Sequence, residues 1–555
     1  MRRYNNFPIN VYLFLLIQIF SITIFIHFLK QNMNVNYYDE NEYIAFSKQI
    51  LEHGIFDFQE PLRTYFYPLI ISLFNMFSGE NLVYSKIITS VFQYSVLIIT
   101  IIFLANLSYK KFPYKSVPTI IILFGLLNPY LIQASTLFLT DILATCFIVF
   151  SLGLMSFNNN RNVTYMSSVF FLFASIMIRP SSSIFIPVYI FILIVKHIKI
   201  EKIKMGNFLI ISFLLAFIFI PQLYNNVKNY NDWTPLIHKN LYETQSSWAA
   251  DYLKYGTVVI DGVDPKLFYI NPIESDKETI YDLLFLEPIN FLFVYFIHII
   301  GILDWGFVDT YINSFDITSR LVASILLYIY WFLVILGLKN YFSSKLNNFS
   351  MNALLFSTII YVLFIGTTLV ESRFGYPVFM LLLPFTGLGA HWITTRISFK
   401  ITMIKTLIWM IIFIISFFIF SIWLDFQTKQ VDWEKIIENQ YDNEVETVNF
   451  SDEINWSFVM NYKDFKIVRL IPNSPIPINI TNMMVIDSNG IELNHDDSFE
   501  EPHSFSYRFW ENPSGVLISV PNTVTGWGES ESPTPDQIMT FFKKNKYQMT
   551  FTLIK

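Results

Sequence analysis

Residues 8–29 read PINVYLFLLIQIFSITIFIHFL, 22 positions without one Asp, Glu, Lys or Arg. About 20 apolar residues in a helix cross the hydrocarbon core of a bilayer, so this run is long enough to span. Arg2 and Arg3 precede it and no small-residue cleavage site follows it. It therefore reads as a retained first helix with its N-terminus in the cytoplasm, not as a removed leader. The rest of the chain is of the same material. Of 555 residues, 53% are hydrophobic and 14% charged, against about 25% charged in a soluble chain. An all-α polytopic membrane protein is expected. The one cysteine, Cys146, lies in an apolar run; it offers no disulfide framework and no thiolate metal site, and reads as a small buried apolar residue.

Further apolar runs fall near 82–107, 117–133, 136–156, 163–178, 182–196, 206–222, 320–338, 352–370, 376–393 and 402–424. With the first, they make eleven expected spans. Basic residues concentrate in cytoplasmic loops, which tests the order. Every second loop is basic: Lys110, Lys111 and Lys115; Arg161; Lys196, Lys199, Lys202 and Lys204; Lys339 and Lys345; Arg396, Lys400 and Lys405. Two runs, 65–78 and 289–303, are too short to span and would break this alternation, so they read as interfacial or re-entrant helices. The remaining loops, the stretch 223–288 and the tail 425–555 then face the extracytoplasmic side of a plasma (inner) membrane. The tail differs from the rest. It is acidic, with short strand-like segments such as GVLISVP and YQMTFTLIK between turn residues. It reads as a small β-rich extracytoplasmic domain following a transmembrane domain of 1–424.

Charge collects on that expected outer side. Asp39, Glu40 and Glu42 follow the first span, and in a helix Asp39 and Glu42 share a face while Glu40 points elsewhere. Alone, an acidic triplet is a solvated face. Arg63, Arg179, Lys228 and Arg373 are expected on the same side. Arg179 and Arg373 stand in short outer loops, where the charge rule disfavours them. Each alone would read as snorkelling to headgroups; together they suit a phosphate, which the planar guanidinium fork matches. Asp141 lies inside or at the outer end of a span. An acid there is a functional candidate by default, although with Thr140 it would also serve as a helix cap. Glu371 stands beside Arg373. The eight histidines are scattered without ligand spacing, and no phosphate-binding glycine loop or zinc motif is present. A hard divalent cation at Asp39, Glu40 or Glu42 is compatible with carboxylate chemistry, and no nucleic-acid partner is expected.

Acids and cations together fit a substrate in which a sugar is joined to a lipid phosphate. Fixed guanidinium groups would stabilise the charge that builds on a departing phosphate. A carboxylate, Asp39 first, would take the proton of the incoming acceptor.

Six short patterns occur in order: DENEYIAFSKQILEHGIF, RTYFYPLIISLFNMFSG, LTDILATCFIVFSLGL, IRPSSSIF, VKNYNDWTPL and ESRFGYPVFMLLLP. In their order and shared side, over residues 8 to about 395, the chain resembles the GT-C superfamily of polyprenyl-phosphate-sugar-dependent glycosyltransferases. The likeness is to the branch of protein O-mannosyltransferases and lipid A aminoarabinose transferases. The resemblance implies an inverting transfer from a polyprenyl-phosphate sugar to an extracytoplasmic protein, lipid or glycan. It implies a catalytic acid at Asp39, with Glu40 and Glu42 loosely matched beside it. Donor-phosphate contacts would come from Arg63, Arg179 and Arg373, with Lys228 a further match. The chain departs from the family at TYFYP, which lacks the Pro-Gly often found before Tyr-Pro. A transporter or flippase would need internal repeats and charges paired near mid-membrane, and none are evident. A polymerase or ligase of lipid-linked glycans would also use outer arginines but does not need acids so close after the first span.

Overall fold

The computed structural model describes residues 10–427 except 34–37, 80, 158–161, 200–204, 240, 258–265, 271–278, 308–316, 344–347 and 397–399, and beyond 427 six short strand segments. In chain order the helices begin with α1 (Val11–Asn32), α2 (Tyr38–His53), α3 (Phe66–Phe77), α4 (Leu82–Lys111), α5 (Ser116–Leu126) and α6 (Pro129–Ala134). Then come α7 (Asp141–Phe157), α8 (Asn162–Ile178), α9 (Phe185–Lys199), α10 (Met205–Leu215), α11 (Ile220–Tyr230) and α12 (Leu241–Asp251). A hairpin of β1 (Tyr252–Thr257) and β2 (Lys266–Ile270) precedes α13 (Ile280–Leu286), α14 (Pro288–Leu303), α15 (Ile317–Ser343), α16 (Phe349–Ile365), α17 (Tyr376–Arg396) and α18 (Lys400–Gln427). Short 3₁₀ turns at Pro180–Ile184 and Ser372–Gly375 lead into α9 and α17.

Each of the eleven expected runs carries a helix, and seven helical stretches are long and apolar enough to cross a membrane: Val11–Asn32, Leu82–Lys111, Pro180–Ile198, Phe208–Tyr230, Ser324–Ser343, Ser372–Thr395 and Ile404–Leu424. The other four expected spans fall on α5, α7, α8 and α16, which are shorter apolar helices. The runs set apart as too short are α3 and α14, of 12 and 16 residues.

Several boundaries differ from the sequence expectation; α16, for one, stops at Ile365 and not at 370. The run 117–133 is not one helix: α5 stops at Leu126, and the Asn128 side chain accepts the N–H groups of Tyr130 and Leu131 at 3.0 and 3.2 Å to start α6. Pro129 fits there because the first turn of a helix does not need its missing N–H. The run 136–156 becomes helical only at Asp141. The run 206–222 continues as helix to Tyr230, so Lys228 lies in the last turn of α11 and does not open a loop. Past Gln427 the expected β-rich domain lies largely outside the described residues.

The centre of the bundle is α17, 72% buried over its span, whereas α1 and α18 are 17% and 11% buried and form the rim. Exposed Trp409, Ile419 and Phe426 on α18, and Leu15, Leu16 and Phe20 on α1, present the apolar face that lipid would cover. Glycines bring α15 and α17 together. A Cβ on Gly389 would sit 2.0 Å from the Leu333 carbonyl oxygen, and one on Gly337 would sit 1.9 Å from that of Phe385. Small residues let membrane helices approach backbone to backbone, and dispersion then does what the hydrophobic effect cannot do in lipid.

Candidate active site

The chain returns to one end of the bundle four times with a charged residue. Asp39 lies in the first turn of α2, just beyond α1. Asp141 opens α7, Arg179 follows the last residue of α8, and Arg373 lies in the turn leading into α17. That turn packs tightly on the end of α14. A Cβ on Gly375 would lie 2.1 Å from Trp305 Nε1 and 2.4 Å from the Ile302 carbonyl oxygen. Trp305 is fully buried against Tyr130, Tyr376 and Phe379, so Arg373 projects from a rigid base.

Arg373 is the hub. Its Nη1 donates to Asp39 Oδ2 at 3.1 Å and lies 3.6 Å from Asp141 Oδ2. Its Nη2 and Nε face the two oxygens of Glu371 at 2.9 and 2.8 Å. One planar fork therefore faces three carboxylates. Arg179 pairs with Asp141, donates from Nε to Ser181 Oγ at 3.0 Å, and stacks 4.9 Å from the Phe374 ring centre. On the other side, Arg63 Nη2 donates to Glu42 Oε2 at 3.1 Å and lies 4.0 Å from Asp39 Oδ1. Asp39 and Glu42 thus share a helical face, as their spacing requires. Arg63 also lies 5.7 Å from the Tyr43 ring centre. Burial pushes the Tyr43 phenol above its ordinary pKa, against the lowering field of Arg63.

Three guanidiniums and four carboxylates meet within this cluster, largely out of water: the side chain of Asp141 is 3% exposed and that of Asp39 12%. Beside them lies a small cavity of about 10 Å³, the size of a single water. Asp141, Arg179 and Arg373 form its charged part, with Thr145, Ser181 and Ser182 as hydroxyls and Ile148, Phe185, Tyr361 and Pro377 as apolar lining. The guanidiniums suit an anion, which would have to displace their carboxylate contacts and open the cavity to enter.

Of the residues singled out in the sequence, the structure brings together Asp39, Glu42, Arg63, Asp141, Arg179, Glu371 and Arg373. Two stand apart. Glu40 turns away into the protein, fully buried against Lys86. Lys228 pairs with Asp57 at 2.6 Å, half-exposed and outside the cluster. Asp57 is held below its ordinary pKa chiefly by that hydrogen bond. Sequence reading passed over Lys86, although a lysine inside an apolar helical run is the signal that marks an intramembrane charge. Nothing in the sequence marks Tyr43, whose packing against Arg63 shows only in three dimensions. Among the described residues, no group of three or more His, Cys, Asp or Glu side chains is placed to hold a metal ion.

Comparison finds no family model, no curated protein and no solved structure that matches the chain. The functional reading therefore rests on the residues themselves.

Proposed function

We propose that the protein is an integral-membrane inverting glycosyltransferase. It moves a sugar from a polyprenyl-phosphate donor to an extracytoplasmic protein, lipid or glycan. The observation that carries this reading is the convergence of Asp39 with Arg63, Arg179 and Arg373, from four distant segments, at one end of the bundle. Guanidiniums suit a phosphate on a lipid, and the carboxylate beside them suits a general base.

In this reading the donor phosphate takes over guanidinium N–H groups that now face Asp39 and Asp141. Asp39 is thereby released toward the acceptor. The acceptor oxygen or nitrogen attacks the anomeric carbon opposite the phosphate, and its proton passes to the Asp39 carboxylate. The bond from the anomeric carbon to phosphate oxygen breaks, and its electron pair leaves with the polyprenyl phosphate, stabilised by Arg179 and Arg373. Inversion follows from this single displacement. Glu371 holds the fork of Arg373, and Glu42 that of Arg63.

The experiment is release of polyprenyl phosphate from a labelled mixture of polyprenyl-phosphate sugars, with an envelope extract supplying acceptor. Wild type should release it and folded Asp39→Asn should not. Equal release by both removes Asp39 from the chemistry, and no release by either rejects the transferase reading.

A further inference from the structure

Glu40 sits next to Asp39 yet points away from the arginines, toward Lys86. Its Oε1 lies 2.8 Å from Lys86 Nζ and accepts the Phe138 N–H at 2.6 Å, while its Oε2 accepts from the same ammonium at 3.0 Å. Both side chains are fully buried, and the Lys86 ammonium lies 5.6 Å from the Phe138 ring centre. One carboxylate thus ties together α2, the start of α4 and the segment 137–140. Removing two charges from water costs more than burying apolar side chains of the same size. Packing alone therefore does not call for this pair. What the pair adds is direction, because each oxygen has a fixed partner.

We infer that Glu40 is a positioning residue whose bonds to Lys86 and Phe138 set the separation of Asp39 and Asp141 across Arg373. Asp39 precedes Glu40 in the chain, and Asp141 follows Phe138 by three residues. Their carboxylates lie 3.1 and 3.6 Å from the same guanidinium nitrogen. A shift of α2 against 137–140 would carry them apart. The segment has other ties: Gln93 donates to the Ser135 and Leu137 carbonyls at 3.3 and 2.8 Å, and Asn32 donates to Thr136 Oγ1 at 2.8 Å. Two residues of α2 reach this segment: Tyr43, hydrogen-bonded to Thr140, and Glu40, which alone of the two also ties it to Lys86 of α4. A role in catalysis rests on the proposed transferase reading; the clamp itself does not.

The test is hydrogen exchange by mass spectrometry on the purified full-length protein, comparing wild type with the Glu40→Gln/Lys86→Met double variant. The double variant removes both charges, so no buried ion is left alone. Amides of 38–46 and 137–145 should exchange together about tenfold faster or more, while α15 and α17 keep their protection. Unchanged exchange, or acceleration of one segment alone, overturns the clamp. Should the double variant not fold, Glu40→Asp keeps the charge on a side chain one methylene too short for both partners. The same joint acceleration is expected there, and wild-type exchange overturns the inference. On an active donor the variant should lose turnover with the donor KM held. A wild type inactive on every lipid-phosphate sugar rejects the transferase reading and leaves the exchange result to decide the clamp.

Discussion

Arg373 and Asp39 stand 334 positions apart in the chain and meet in a hydrogen bond of 3.1 Å. The contact joins the helix that follows the first apolar run to the turn that opens the most buried helix of the bundle. It puts a carboxylate and a guanidinium fork at one point, and the same fork reaches Asp141 and Glu371.

Arg373→Lys keeps the charge but cannot face three carboxylates in one plane. Hydrogen bonds to charged groups contribute about 1.5–3 kcal/mol each. Donor affinity should therefore fall about tenfold or more on this change, read as the concentration of a short-chain isoprenyl-phosphate sugar that half-saturates a thermal shift.

Glu42 should matter less than Asp39. It is 31% exposed and pairs with Arg63 from the water side, where such a pair contributes about 0–1 kcal/mol. Glu42→Gln should retain turnover within about tenfold of wild type in the release assay.

Gly375→Ala should act on the site through packing. Its methyl group would meet Trp305 and the Ile302 carbonyl, so the turn bearing Arg373 must shift. Overpacking of this kind costs about 1–3 kcal/mol. A lower thermal midpoint in detergent together with weaker donor binding is expected, while an unchanged midpoint would show that the turn yields without cost.

Lys228 should be dispensable for turnover, since it serves Asp57. The Asp57 pKa is lowered from 3.8 in the folded protein by that hydrogen bond. The stabilisation is thus present above the ordinary Asp range and lost as the pH falls through the lowered value. Asp57→Asn should melt slightly below wild type near neutral pH, and the two midpoints should converge in strong acid. Lys228→Met should leave turnover within about threefold, because an exposed pair contributes little.

The sequence shows the helices wherever composition alone decides them. A run such as 8–29 has no reading other than a helix in apolar surroundings, and α3 and α14 were separable by length. The break at Asn128–Pro129 was written in the sequence as a turn dipeptide, but an unbroken apolar run hid it. The cluster was legible in part, because Arg179 and Arg373 stand where short loops disfavour arginine. The choice of partner was not legible. Glu40 and Glu42 are two positions apart and chemically alike, yet one is buried on Lys86 and the other faces Arg63. Helical rotation separates them, and only the packing of α2 on α3, which lies in turn against α4, decides which faces inward. Lys228 failed to join the arginines because α11 runs on for two turns past its apolar stretch.

The most direct measurement sets donor binding beside turnover for Asp39→Asn and Arg373→Ala. Asp39→Asn should bind the lipid-phosphate sugar within about threefold of wild type and lose turnover by about 10²–10⁴. Arg373→Ala should lose binding itself. An Asp39→Asn protein that turns over at the wild-type rate, or an Arg373→Ala protein that binds the donor as tightly as wild type, would contradict a phosphate-binding guanidinium cluster served by a carboxylate base.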